Sequence, residues 1–181
     1  EDMNVLDHFI LGFDISYNQG IYGDDYFWLS LISSIFFNIG DKKHKKFNSF
    51  VEHFAKYVPD YKTLIRNLYD YSSFDIKIGY LKDKTKDAIN ELFYHIKNLS
   101  FDESDQIRRL IKEEIDYIGN MINSGVYNII GDFVGSKYSE TYRRDEATTG
   151  LSYYNFLNKI LEMKDCDIKK NLKESYYRWI H

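Results

Sequence analysis

The chain has 181 residues, 44% of them hydrophobic and 18% aromatic, with a formal net charge of −4. That length suits one domain with a sizeable core, and the single cysteine, Cys166, excludes a disulfide framework and a cysteine metal cluster. No apolar run reaches the ~18–20 residues of a membrane helix, and no basic segment leads into an apolar one at the start. A cytoplasmic protein without a membrane span is expected.

Seventeen Tyr and thirteen Phe are more than a core of this size requires. Many rings must lie at the surface, where rigid amphipathic side chains anchor interfaces. Charge is unevenly laid out. Residues 1–41 hold Glu1, Asp2, Asp7, Asp14, Asp24, Asp25 and Asp41 and no Lys or Arg, whereas the remainder is nearly balanced. Acids gathered on one face would steer a basic partner.

In chain order, Asn4 to Tyr17 reads as an amphipathic helix with Asp7 and Asp14 on a common side. A Gly-containing turn over 18–23 follows. Asp24 and Asp25 then cap an almost wholly apolar helix over 26–39, which Gly40 ends. A helix apolar nearly all round belongs at the centre of a fold. Its exceptions include Ser30, Ser33 and Ser34, a narrow strip where another element can approach closely.

Lys42-Lys43-His44-Lys45-Lys46 leads into a helix bearing Phe47, Phe50, Val51 and Phe54. So short a basic run reads as a solvated helix start, and direct nucleic-acid binding is not expected. Val58-Pro59 marks a boundary, after which Leu64, Ile65, Leu68 and Tyr69 read as the inner face of a further helix. Residues 71–79 read as a connector, partly extended. Helices are expected over 82–99 and 105–123, the second with Ile107, Leu110, Ile111, Ile115 and Ile118 in helical register. Residues 126–134 fit a short helix or a strand, and 135–150 a polar loop. Two more helices, over 151–163 and from Asp167 through Ile180, finish the chain. The fold expected is therefore all-α: one domain, 1–181, of seven to eight helices around the buried helix 26–39.

Motifs for chemistry are missing from this pattern. The spacing in Glu91-Leu-Phe-Tyr-His95 is wrong for a carboxylate-bridged metal pair, and Glu52 and His53 are adjacent, so they diverge on a helix. There is no Gly-x-Ser-x-Gly, and the segment from Gly131 to Gly135 lacks the Lys-Ser/Thr of a phosphate loop. Cys166 sits between Asp165 and Asp167, a setting that disfavours a thiolate. Glu113-Glu114-x-Asp116 reads as a solvated helix face. No metal, cofactor or catalytic residue is expected.

Residues 22–69, with Leu29-Ser30-Leu31 in the central helix, together with Tyr176-Tyr177-x-Trp179, resemble the helical immunity proteins of bacterial polymorphic and contact-dependent growth-inhibition toxins, in particular the group paired with nucleases. The resemblance implies a non-catalytic cytosolic protein that binds and blocks a cognate toxin. A basic nuclease would meet an acidic, Tyr-rich face, and the residues expected there are Asp7, Asp14, Tyr17, Tyr22, Asp24, Asp25, Asp102, Glu103 and Asp105. Two other readings are a helical enzyme with a site at the 135–150 loop, using Arg143, Arg144 and Glu146, and a generic interaction module.

Overall fold

A computed structural model describes residues 6–15, 24–68 and 71–180. The all-α expectation is overturned: helices pack on a three-stranded antiparallel sheet. The sheet is built from β1 (Asp7–Asp14), β2 (Asp60–Asn67) and β3 (Ser72–Tyr80), in the order β1-β3-β2. Thus the first expected helix and the one after Pro59 are strands, and the supposed connector is the central strand.

The reason lies in a period of two. Phe9, Leu11 and Phe13 alternate with His8, Ile10, Gly12 and Asp14, while Tyr61, Thr63 and Ile65 alternate with Lys62, Leu64 and Arg66. Accessibility alternates with them along both strands, as side chains pointing to opposite faces of a pleated strand must. Registers such as Leu11↔Ile76 and Thr63↔Ile76 put the apolar sets on one face. Central β3 is nearly all buried.

Eight described helices complete the chain: α1 (Asp24–Ile35), α2 (Phe47–Phe54), α3 (Thr85–Asn98), α4 (Ser104–Ser124), α5 (Val126–Gly135), α6 (Glu140–Thr149), α7 (Leu151–Leu161) and α8 (Asp165–Ile180). A 3-10 turn, Phe36–Asn38, extends α1. The expected central helix is therefore present and central: Leu29, Leu31, Ile32, Ile35 and Phe36 are at most 1% exposed. It packs against α4, α6, α8 and β2. The polar stretch 135–150, expected as a loop, is mostly α6.

Beyond α1 the chain turns sharply at Gly40. A Cβ there would lie 2.2 Å from the backbone oxygen of His44. Asp41 follows, buried, with its carboxylate accepting from the N–H groups of Lys43 (2.8 Å) and His44 (2.7 Å). The fully buried His95 of α3 lies beside it, Nδ1 to carboxylate 3.7 Å. His95 Nε2 donates to the Phe36 carbonyl at 2.9 Å. Phe50 stacks on the same imidazole with centroids 4.2 Å apart. One turn thereby joins α1, α2 and α3.

Burial opposes the charge on Asp41, but the His95 ring and the two N–H groups outweigh it and hold its carboxyl below the usual range. A depressed carboxylate stabilises the fold above its unfolded value and ceases to as pH falls through the folded one. Urea denaturation of the wild type should therefore show stability falling below about pH 4, with a shallower slope in Asp41→Asn. At neutral pH, Gly40→Ala should cost about 1–3 kcal/mol in the same assay, because its methyl group displaces backbone.

Candidate functional site at the free edge of the sheet

In the order β1-β3-β2, β2 is hydrogen-bonded on one side only. Every second residue of such a strand turns its N–H and C=O outward. Among the described residues no backbone–backbone bond beyond the sheet reaches 60–67. A groove of about 520 Å³ runs along this edge. Five consecutive β2 residues, 61–65, form one wall, and such continuity means that the strand's edge, and not one of its faces, borders the groove.

The serine strip of α1 forms the floor: Ser30, Ser33 and Ser34 line it, with Phe37 beyond. Small side chains let neighbours close in. Ser30 Oγ lies 3.0 Å from the Ala147 carbonyl of α6, and Thr63 Oγ1 donates to the Ser33 carbonyl at 2.6 Å. The opposite wall carries Glu114 and Tyr117 from α4, with Thr148 and Thr149 at the end of α6. Burial pushes the Glu114 carboxyl up, and Glu114 in turn adds to the upward push that burial gives the Tyr153 hydroxyl. A carboxyl so placed favours a cation arriving from the groove.

Glu114 is not part of a solvated face. It sits four residues after Leu110 and four before Ile118, both buried, and so lies on the inward stripe of α4. That spacing was the signal available for it.

The residues expected to bind a partner are not brought together. Asp7 and Asp14 end β1, about 23 Å apart at strand rise, and their odd separation turns them to opposite faces. Tyr17 and Tyr22 lie outside the described residues. Asp24 opens α1, and Asp25 pairs with Arg178 of α8 at 2.9 Å. Asp102 is held by Lys169 near the other end of α8, and its carboxyl is lowered by that lysine and by Ser100. Glu103 accepts from the Phe47 N–H at 2.7 Å and so caps α2, while Asp105 lies in the first turn of α4.

Nor do Arg143, Arg144 and Glu146 make a site. Exposed Arg143 pairs with Glu140 one turn away at 2.7 Å. Arg144 is buried and donates to Ser72 Oγ at 2.9 Å, which donates to Asn67 Oδ1 at 3.0 Å. Asn67 donates in turn to Asp145 at 2.9 Å, tying α6 to the end of β2. Glu146, also buried, accepts from the Ser152 N–H at 2.7 Å and caps α7.

The model of one protein family, described as peptidase M-16C associated, matches residues 29–160, a span that holds both walls of the groove. The chain belongs to the peptidase M-16C associated family. Two solved structures share the fold of this peptidase-associated chain. A conserved protein from Enterococcus faecalis V583 superposes with a TM-score of 0.68 at 9% identity, covering 97% of this chain and 41% of that one. A protease from Helicobacter pylori superposes with a TM-score of 0.51 at 18% identity, covering 96% and 39%. The chain thus spans about two fifths of each. No curated protein matches it. Nothing in these comparisons concerns immunity proteins or toxins. Among the described residues no helix is long and apolar enough to cross a membrane.

A Cβ on Gly150 would stand 2.1 Å from the capping carboxylate of Glu146. Gly150→Ala should therefore lower stability by about 1–3 kcal/mol, and Glu146→Ala by about 1 kcal/mol through loss of the cap. Thermal unfolding should show the double variant losing less than the sum, because both changes act on one contact.

Proposed function

We propose that this peptidase-associated domain holds an extended peptide as a fourth strand beside β2 and does not itself cleave it. The observation that carries this is the unpaired β2 edge lining a groove of about 520 Å³. Strand addition draws affinity from main-chain hydrogen bonds and selectivity from pockets under alternate side chains. Phe37, Tyr61 and Ile65 would accept apolar side chains, and Glu114 a Lys or Arg. Holding fits better than cutting because the described lining has one carboxylate and no histidine, whereas hydrolysis calls for a positioned base and electrophile.

In this reading the domain serves a larger peptidase-related protein, as its share of the solved chains suggests. Exposed, unpaired Cys166 fits a reducing compartment, and cytoplasmic placement belongs to the same proposal. Blocking of a basic toxin is the weaker reading: Asp25 and Asp102 are neutralised by Arg178 and Lys169, roughly 13 Å apart along α8.

Fluorescence anisotropy with a labelled peptide of alternating apolar residues and one lysine tests strand addition. N-methylation of one alternate set of peptide amides should weaken binding about ten-fold or more, and of the other set little, since only one set faces β2. Glu114→Gln should reduce the preference for lysine over norleucine. Equal binding by both methylated peptides and the parent would defeat the proposal.

A further inference from the structure

A second hollow shares no lining residue with the β2 groove. It lies where the end of α3, the bend 99–102 and α8 meet, and it encloses about 350 Å³. That falls in the range of small-molecule sites. Its body is apolar, formed by Ile96, Leu99, Phe101 and the Tyr176 ring, with Phe101 and Tyr176 meeting edge to face at 5.7 Å. The Tyr176 hydroxyl is spent inside the fold, donating to the Ile96 carbonyl at 2.6 Å. The Asn98 carbonyl is taken by the Lys42 N–H at 3.0 Å. Two carbonyls at the negative end of α3 are therefore occupied and face no ligand.

The mouth is cationic. Lys42, Lys97 and Lys173 ring it against one carboxylate, Asp102, which is already engaged by Ser100, Lys169 and Lys173. Beside it, a shallow depression on α8 is lined by Lys169, Lys170 and Lys173, with Glu174 paired to Lys170 at 3.9 Å. An apolar interior under a lysine rim complements an amphipathic anion in size and charge.

We infer that this hollow binds a small amphipathic carboxylate, its apolar chain against Ile96, Leu99 and the exposed Tyr177 ring and its acid group at Lys42, Lys97 and Lys173. The rim supplies long, mobile ammonium groups, which suit a single carboxylate held near water. The apolar body adds affinity through the limited area that Leu99, Tyr176 and exposed Tyr177 leave open. Lysine charge supplies the selectivity, because a cationic head of equal length would meet like charge.

Titration of the full chain with octanoate, octylammonium and octanol, followed by methyl chemical shifts, tests this. Octanoate should shift the Ile96 and Leu99 methyl groups and bind about ten-fold more tightly than octylammonium, with octanol between them and added salt weakening octanoate alone. Lys42→Gln with Lys97→Gln alters exposed side chains only, so the melting temperature should hold while octanoate affinity falls several-fold. Equal binding of the anion and the cation, shifts confined to other residues, unchanged affinity in the double variant, or no shift at millimolar octanoate would each overturn the inference.

Discussion

The architecture depends on how closely other elements approach α1. Its remaining faces are filled with Leu, Ile and Phe, but Ser30, Ser33 and Ser34 leave a trough one small side chain deep. On that strip the Ala147 carbonyl reaches Ser30 and Thr63 reaches the Ser33 carbonyl. A leucine at Ser33 would fill the space between helix and strand and push β2 outward. The same smallness leaves the groove: β2 is anchored at Thr63, its edge is not covered, and helix side chains do not occupy the gap. Close packing and an open strand edge follow from one choice of residue size.

How much of this was legible depended on segment length. Over α4, twenty-one residues repeat the 3.6 period often enough to fix type and inward face. Over Asp7–Asp14, eight residues do not discriminate, since Phe9 and Phe13 are four apart and satisfy helix and strand alike. Leu11 between them decides it, being apolar at the even spacing a helix would turn away. Leu64, Ile65 and Leu68 misled in the same way: Leu64 and Leu68 are exposed, and only Ile65 faces inward. The serine strip and the centrality of α1 were readable because they are local. The unpaired edge was not, because strand order is decided by residues far apart in sequence.

Charge misled for a related reason. A count along the chain treats acids as available, yet folding assigns several of them to internal work. Asp41 is buried under His95, Glu103 caps α2, Glu146 caps α7, and Asp25 and Asp102 meet cations of α8. The two hollows differ from the expected acidic face: lysines and the engaged Asp102 border the one between α3 and α8, and a single carboxyl, Glu114, raised by burial, borders the other.

That placement of Glu114 bears on why a peptide would enter the groove at all. A carboxyl desolvated without a cation beside it destabilises its own charged form, so the empty domain carries an unfavourable term at neutral pH. An ammonium or guanidinium group brought in by a peptide removes that term while the peptide backbone satisfies the β2 edge. The two contributions depend on each other geometrically: a strand in register along residues 61–65 fixes which of its side chains stands opposite α4. In the proposed complex, main-chain pairing would thereby set selectivity for a basic residue at one position.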